Sequence, residues 1–259
     1  MTRHLIRAIA VGVSIAAVAS GVALGAGRVT TVRAGNIILR FTADVTPKKL
    51  PKHRLAPIFF HGTDVITTVD GSHAPAMEEA IIDVDKDILI DVEGLPVCRK
   101  SQLIALDSRS AKRACGTAMV GDGSVTVRVA FPDQTPFDAV GPLLIVNGGE
   151  NRGTTTLFIH GYVAVPTPTA VVATVKIRRK RAGRYATRMV FSIPVIAGGS
   201  GSPIAGEVSV GRRYKYKGED KSFISARCSN GLLGGKGTLK FRDDTQIVGS
   251  VFVPCTATR

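Results

Sequence analysis

A chain of 259 residues that is 44% apolar is long enough to bury a core, but with no tryptophan and 5% aromatics that core must rest on Val, Ile, Leu and Ala. Twenty-eight glycines and thirteen prolines favour many short strands joined by turns and exclude a long-helix architecture. The net charge of +14 points to phosphate-bearing partners such as lipid headgroups or wall polymers, and to nucleic acid only if the chain stays in the cytoplasm.

Residues 1–26 argue that it does not stay there. Arg3 and Arg7 form a basic start, Ala8 to Ala26 is uncharged and rich in small residues, and Ala19, Ala23 and Ala26 offer cleavage points. This is the pattern of a secretory signal peptide. The alternative is an uncleaved anchor, because Ala8–Ala26 is just long enough to span a bilayer. Cleavage is preferred, since Ala and Gly dominate where an anchor would carry Leu and Ile, and it leaves a charge of about +12. No lipobox cysteine follows, and no nucleic-acid partner is expected outside the cell.

In chain order, 35–45 reads as a first strand and 46–57, TPKKLPKHRLAP, as a basic connector kept out of any central strand by its prolines. Strands are predicted at 58–69, within 78–85 and at 88–92. Asp107 is a good N-cap for a helical turn that ends near Cys115, with Gly116 as its stop. Leu103, Ile104 and Leu106 give an earlier turn its apolar face. Residues 124–131 alternate cleanly, with Val125, Val127 and Val129 on one face. Residues 143–146, 155–165, 171–177 and 188–195 read as further strands. Asn147 to Gly153 suggests a hairpin connection, and GGSGSP (198–203) a flexible turn. Weaker strands at 207–210 and 215–217 precede 222–228, 237–241 and 246–253. The sum is a single mostly β domain over 35–259, an all-β antiparallel sandwich or barrel with one small helical insert near 100–115.

Cys98, Cys115, Cys228 and Cys255 are even in number, and an exported chain pairs them. Locality favours Cys98–Cys115 and Cys228–Cys255. Zinc is disfavoured because no two cysteines stand two to four residues apart, so no metal site and no cofactor is expected.

The run Asp83, Asp85, Asp87, Asp91 and Glu93 resembles the start of a calcium loop, but Ile88 stands where such a loop needs Gly, and a strand with one wet face explains it as well. His61-Gly62 and His160-Gly161 suggest oxyanion-hole pairs, yet no Gly-x-Ser-x-Gly elbow accompanies them, and Ser200 and Ser202 fall outside that pattern. No catalytic residue is therefore assigned. The densest cationic patch is Lys176, Arg178, Arg179, Lys180, Arg181, Arg184 and Arg188. A second, Arg212, Arg213, Lys215 and Lys217, is interleaved with Tyr214 and Tyr216. Both are either solvated hairpins or contacts to an anionic surface.

Several short stretches together carry a resemblance. They are Pro47 to Lys52, Gly94-Leu-Pro-x-Cys98, Ala114 to Gly123, Gly141-Pro-Leu-Leu144, Pro168-Thr-Ala170, Ile196 to Gly201, Ser225-Ala-Arg-Cys228 and Pro254-Cys255. The chain resembles a group of uncharacterised exported actinobacterial proteins with four cysteines. The resemblance implies a shared fold and export, and it implies no activity. The sequence reading is a non-enzymatic protein of the cell envelope or extracellular space that contacts anionic polymer or a membrane surface through basic loops. A polymer-acting hydrolase and a hydrophobic-ligand carrier are the alternatives.

Overall fold

The computed structural model describes residues 29–164, 167–180 and 183–259. The predicted signal peptide at 1–26 and Arg181 lie outside the described residues. The first strands are β1 (Thr30–Ala34), β2 (Ile37–Thr46), β3 (Lys49–Pro51), β4 (Ala56–Pro57), β5 (Phe59–Thr68), β6 (Met77–Asp85) and β7 (Ile88–Ile90). The helix α1 (Ser108–Cys115) follows, then β8 (Met119–Val129), β9 (Phe137–Asn151), β10 (Thr154–Val163), β11 (Thr169–Arg179) and β12 (Tyr185–Ser192). The chain continues through β13 (Gly201–Val210), β14 (Arg213–Tyr216), β15 (Glu219–Ser222), β16 (Ile224–Ala226), β17 (Leu232–Phe241), β18 (Gln246–Pro254) and β19 (Thr256–Thr258).

Twelve strands form one antiparallel sheet in the order β1-β2-β5-β13-β8-β9-β10-β11-β12-β6-β17-β18. The sheet curls until β18 lies against β1 and β2. Side chains seal that seam: a Cβ on Gly249 of β18 would come within 3.2 Å of Phe41 and 3.3 Å of Val32. The fold is all-β, a large antiparallel sheet nearly closed into a barrel, with one short helix, as the sequence predicts.

Strand alternation assigns the two faces of the wall. Ile37, Leu39, Phe41, Ala43 and Val45 of β2 point inward, and the β5 residues opposite them are Thr68, Ile66, Asp64, Gly62 and Phe60. Outward positions are mostly polar, among them Arg40, His61, Asp122, Arg178 and Lys236, with Val65, Val140 and Val248 as exposed apolar exceptions. Charges spread over the wall make it a surface for water and not for hydrocarbon.

One end of the barrel is plugged. There β4, β16 and β7 form a small sheet and β3 pairs with β19. Leu50, Ile58, Phe223, Ala226 and Cys228 are no more than 1% exposed and pack against Val45, Ile145, Leu157, Val175 and Val253 of the wall. A second cluster, Ile37, Leu39, Ile66, Phe241 and Ile247, lies along the seam toward the other end. The helical insert sits outside the barrel, where Leu103, Ala111 and Cys115 cover Leu144, Val146 and Val172. Asp107 caps it, accepting from the Ser110 amide at 2.7 Å.

Between the two inner clusters the barrel is not packed solid. Ala80, Ile82, Val125, Leu143, Val171 and Leu239 face inward in mid-strand, yet each is only half-buried. Eight strands make a barrel whose side chains just fill it, so twelve enclose space beyond what side chains occupy. Glycines let the wall bend around that space. A Cβ on Gly123 or Gly141 would run into the carbonyl oxygen of Glu207 or Tyr162 on the neighbouring strand. Gly123→Ala therefore costs about 2–3 kcal/mol of stability, measurable by urea denaturation.

Some expectations needed correction. GGSGSP is a turn only at its start: Gly201 to Pro203 open β13, which is central because β5 and β8 pair with it on both sides. Backbone ladders supply there the order that small side chains do not signal. The hairpin turn falls at Arg152 and Gly153 alone, since β9 runs on to Asn151. Gly116 keeps a right-handed conformation, φ −58°, and the chain continues as a 3-10 turn to Ala118. Ile104 is 56% exposed, while Leu103 is buried.

Candidate functional site

Both local disulfides form: Cys98 with Cys115 and Cys228 with Cys255. They are the bonds of an oxidising compartment. Among the described residues no helix is long and apolar enough to cross a membrane.

Two carboxylates of the acidic run are counter-ions of the basic tip, while Asp91 and Glu93 face Lys221. Arg188 makes a two-pronged pair with Asp83, both bonds 2.8 Å, and Lys180 reaches the same carboxylate at 2.7 Å. Arg184 lies 3.5 Å from Asp85 and stacks over Phe252 at 4.6 Å. Asp87 is buried, accepts from Arg227 at 2.7 Å and also accepts from the Ser229 hydroxyl. Antiparallel pairing of β12 with β6 sets this register, which places Arg188 opposite Asp83. Among the described residues no group of three or more acidic, His or Cys side chains could hold a metal.

The Arg188 bond holds the Asp83 carboxyl down at about 2, against burial, with help from Lys180. Its folded value lies below its unfolded one, so its contribution is present above pH 4 and disappears as pH falls toward 2. Asp83→Asn loses about 2 kcal/mol at pH 7 and nothing at pH 2, a difference that denaturant titration at the two pH values reads directly.

The remaining basic residues divide in two. Arg212 is structural: it donates at 2.7 Å to the carbonyls of Thr117 and Met119, strapping the insert to the plug. Arg213 lies over the Phe59 ring at 5.8 Å. Lys176, Arg178 and Arg179 are exposed, and among the described residues none of the three is in an ion pair. Arg178 donates to the Thr154 hydroxyl at 2.9 Å.

Topology reveals a polarity that the linear sequence hides. β2, β11 and β13 all end at the plugged rim, so the connector 46–57, Arg179, Lys180 and Arg184 of the basic tip, and the 211–218 loop meet there. Lys49, Lys52, Arg54 and Arg179 are exposed on that rim and outnumber its exposed carboxylates, of which Asp220 pairs with Lys215 and Glu93 with Lys221. The loops of the opposite rim carry Arg242 against Asp70, Asp133, Asp243 and Asp244. The charge is thus distributed along the barrel axis, with a basic plugged end.

Inside the barrel, Asp64 is the feature that sequence reading missed. It lies on the inward face of β5, in register with Phe41 and Gly206. Burial pushes its carboxyl up to about 6, and among the described residues no hydrogen bond or ion pair reaches it. Between the rims it is the sole ionisable side chain on the inner face of the described strands. The signal was present in the strand itself: an aspartate in phase with Phe60 and Ile66 breaks the alternation.

The hydrolase-like elements do not form a catalytic site. His160 is fully buried under the insert, its Nε2 donating to the Leu106 carbonyl at 2.8 Å. Ser202 does meet a histidine, His73 Nε2 at 3.3 Å, beside a cavity of ≈ 250 Å³ that Arg128 and Asp138 also line. But Ser202 is 1% exposed and its hydroxyl donates to the Ala74 carbonyl at 2.7 Å. A buried hydroxyl committed to a carbonyl is no nucleophile. Compared with family models, curated proteins and solved structures, the chain matches none.

Proposed function

We propose that this is an exported binding protein of the cell envelope or extracellular space that docks on anionic surfaces with the plugged, basic end of its barrel. The observation that carries the reading is the axial polarity of charge: three basic segments, far apart in sequence, share one rim, and the opposite rim is acidic. Long-range attraction then orients the molecule as it approaches a negative surface. Leu55 and Phe59, 40% and 46% exposed, stand at the same rim and supply apolar contact beside Lys52, Arg54 and Arg213. Two disulfides and the N-terminal pattern support export.

The test is co-sedimentation across a salt series. One arm uses vesicles with and without anionic lipid, and the other a soluble polyphosphate wall-polymer mimic. Binding is expected to weaken steeply with salt, since exposed charges lose their reach within about 8 Å at physiological ionic strength. Reversing Lys49, Lys52 and Arg54 to Glu is expected to reduce it at least about tenfold, while Arg242→Glu at the other rim leaves it unchanged. Absent or salt-independent binding overturns the reading, and the two arms separate lipid from polymer.

A further inference from the structure

The basic rim does not account for the inside of the barrel. The plug closes one end, yet the inward faces of β6, β8, β9, β11 and β17 keep apolar side chains half-exposed in mid-strand. That surface would be buried if nothing were meant to cover it. Into this apolar interior projects a single carboxylate, Asp64, half-buried and without a hydrogen-bond or ion-pair partner among the described residues. A carboxylate partly withdrawn from water among apolar side chains gains from a cationic partner.

The surroundings of Asp64 are apolar. Its neighbours along β5 on the inner face are Gly62 and Ile66. On β13, Gly206 stands beside it, and a Cβ there would lie 2.7 Å from Asp64 Oδ1. Val125 of β8 and Phe41 of β2 complete the ring. None of these groups titrates, so nothing in the ring neutralises the carboxylate, and its Oδ1 lies in the space that a side chain on Gly206 would take.

We propose that the barrel interior binds one amphiphilic cation, with its apolar body against the half-exposed wall and its ammonium head paired with Asp64. Charge complementarity selects this occupant. An anionic amphiphile would place like charges together in a poorly solvated space, and a neutral one would leave the carboxylate unpaired. This site is independent of the outer docking surface, which attracts the opposite charge.

The test uses three probes of equal chain length on the intact exported chain: dodecylammonium, dodecanol and dodecanoate, below their micellar concentrations at pH 7.5. Dodecylammonium is expected to bind at least tenfold tighter than the other two. Asp64→Asn is expected to remove that preference while leaving the fold intact, since the two side chains have the same shape. Ala80→Phe, which fills the interior from β6, is expected to block binding of the amine. Dodecanoate held at the basic outer rim is recognised by its insensitivity to Ala80→Phe and its loss in salt, so failure of one site is distinguishable from failure of the other. The proposal is overturned if dodecanol or dodecanoate binds as tightly as the amine in a manner blocked by Ala80→Phe, if Asp64→Asn keeps the amine preference, or if no probe binds.

Discussion

Asp64→Asn is expected to make the empty protein more stable at pH 7.5 by about 2–3 kcal/mol and to leave it unchanged at pH 4. Burial holds the Asp64 carboxyl at about 6 in the folded chain, above the value that it has when unfolded. The unfolded chain therefore gives up the proton first. Between about pH 4 and pH 6 the folded state binds the extra proton and loses stability as pH rises, and above pH 6 the loss is complete. Asparagine has no proton to lose, so it removes this slope. The measurement is urea denaturation of both forms at pH 4, 5, 6 and 7.5. Asp83 titrates lower and is present in both, so it cancels in the difference. An asparagine variant no more stable at pH 7.5, or equally favoured at pH 4, would show that the carboxyl is solvated. A gain of the expected size would identify a residue that costs the fold stability, the pattern found where a side chain is kept for binding.

Replacing Cys228 and Cys255 with serine is expected to cost about 3–4 kcal/mol, on the chain-entropy estimate for a loop of this length. The sequence separation is 27 residues, and Cys228 is completely buried. The consequence is more than a looser unfolded chain. Cys228 follows β16, the middle strand of the plug, and Cys255 follows β18, the edge strand that meets β1 and β2 only through side chains. The bridge thus ties the plug to the weakest margin of the wall. Without it, amide exchange should accelerate first at Phe223 to Cys228 and along β18, before the rest of the barrel. Replacing Cys98 and Cys115 should cost about 3 kcal/mol, with faster exchange confined to α1 and the outer faces of β9 and β10. Uniform exchange changes in both variants would show that plug, insert and wall unfold as one unit.

Much of the architecture follows from local chemistry that any reader of the chain can use. Alternation at Val125, Val127 and Val129 marks β8, the Asp107 cap marks the start of α1, and cysteine spacing marks both bridges. These signals span a few residues and depend on a neighbour close in the chain. Gly201 to Gly206 had no such signal, because its order comes from β5 and β8, both distant in sequence.

Charge and partner choice belong to the second kind. The sequence alone establishes an excess of cations, an acidic run at 83–93 and a secretory leader pattern. It cannot say that Arg188 and Lys180 are already held by Asp83, nor that Lys49, Arg54 and Lys215 share a rim. It marks Asp64 only as a break in the alternation of one strand, and does not say which face of the wall that strand turns inward. Register is the physical reason. A one-residue shift in strand pairing moves a side chain from one face of the wall to the other, so only the closed sheet turns an ordinary aspartate into a lone carboxylate facing an apolar interior.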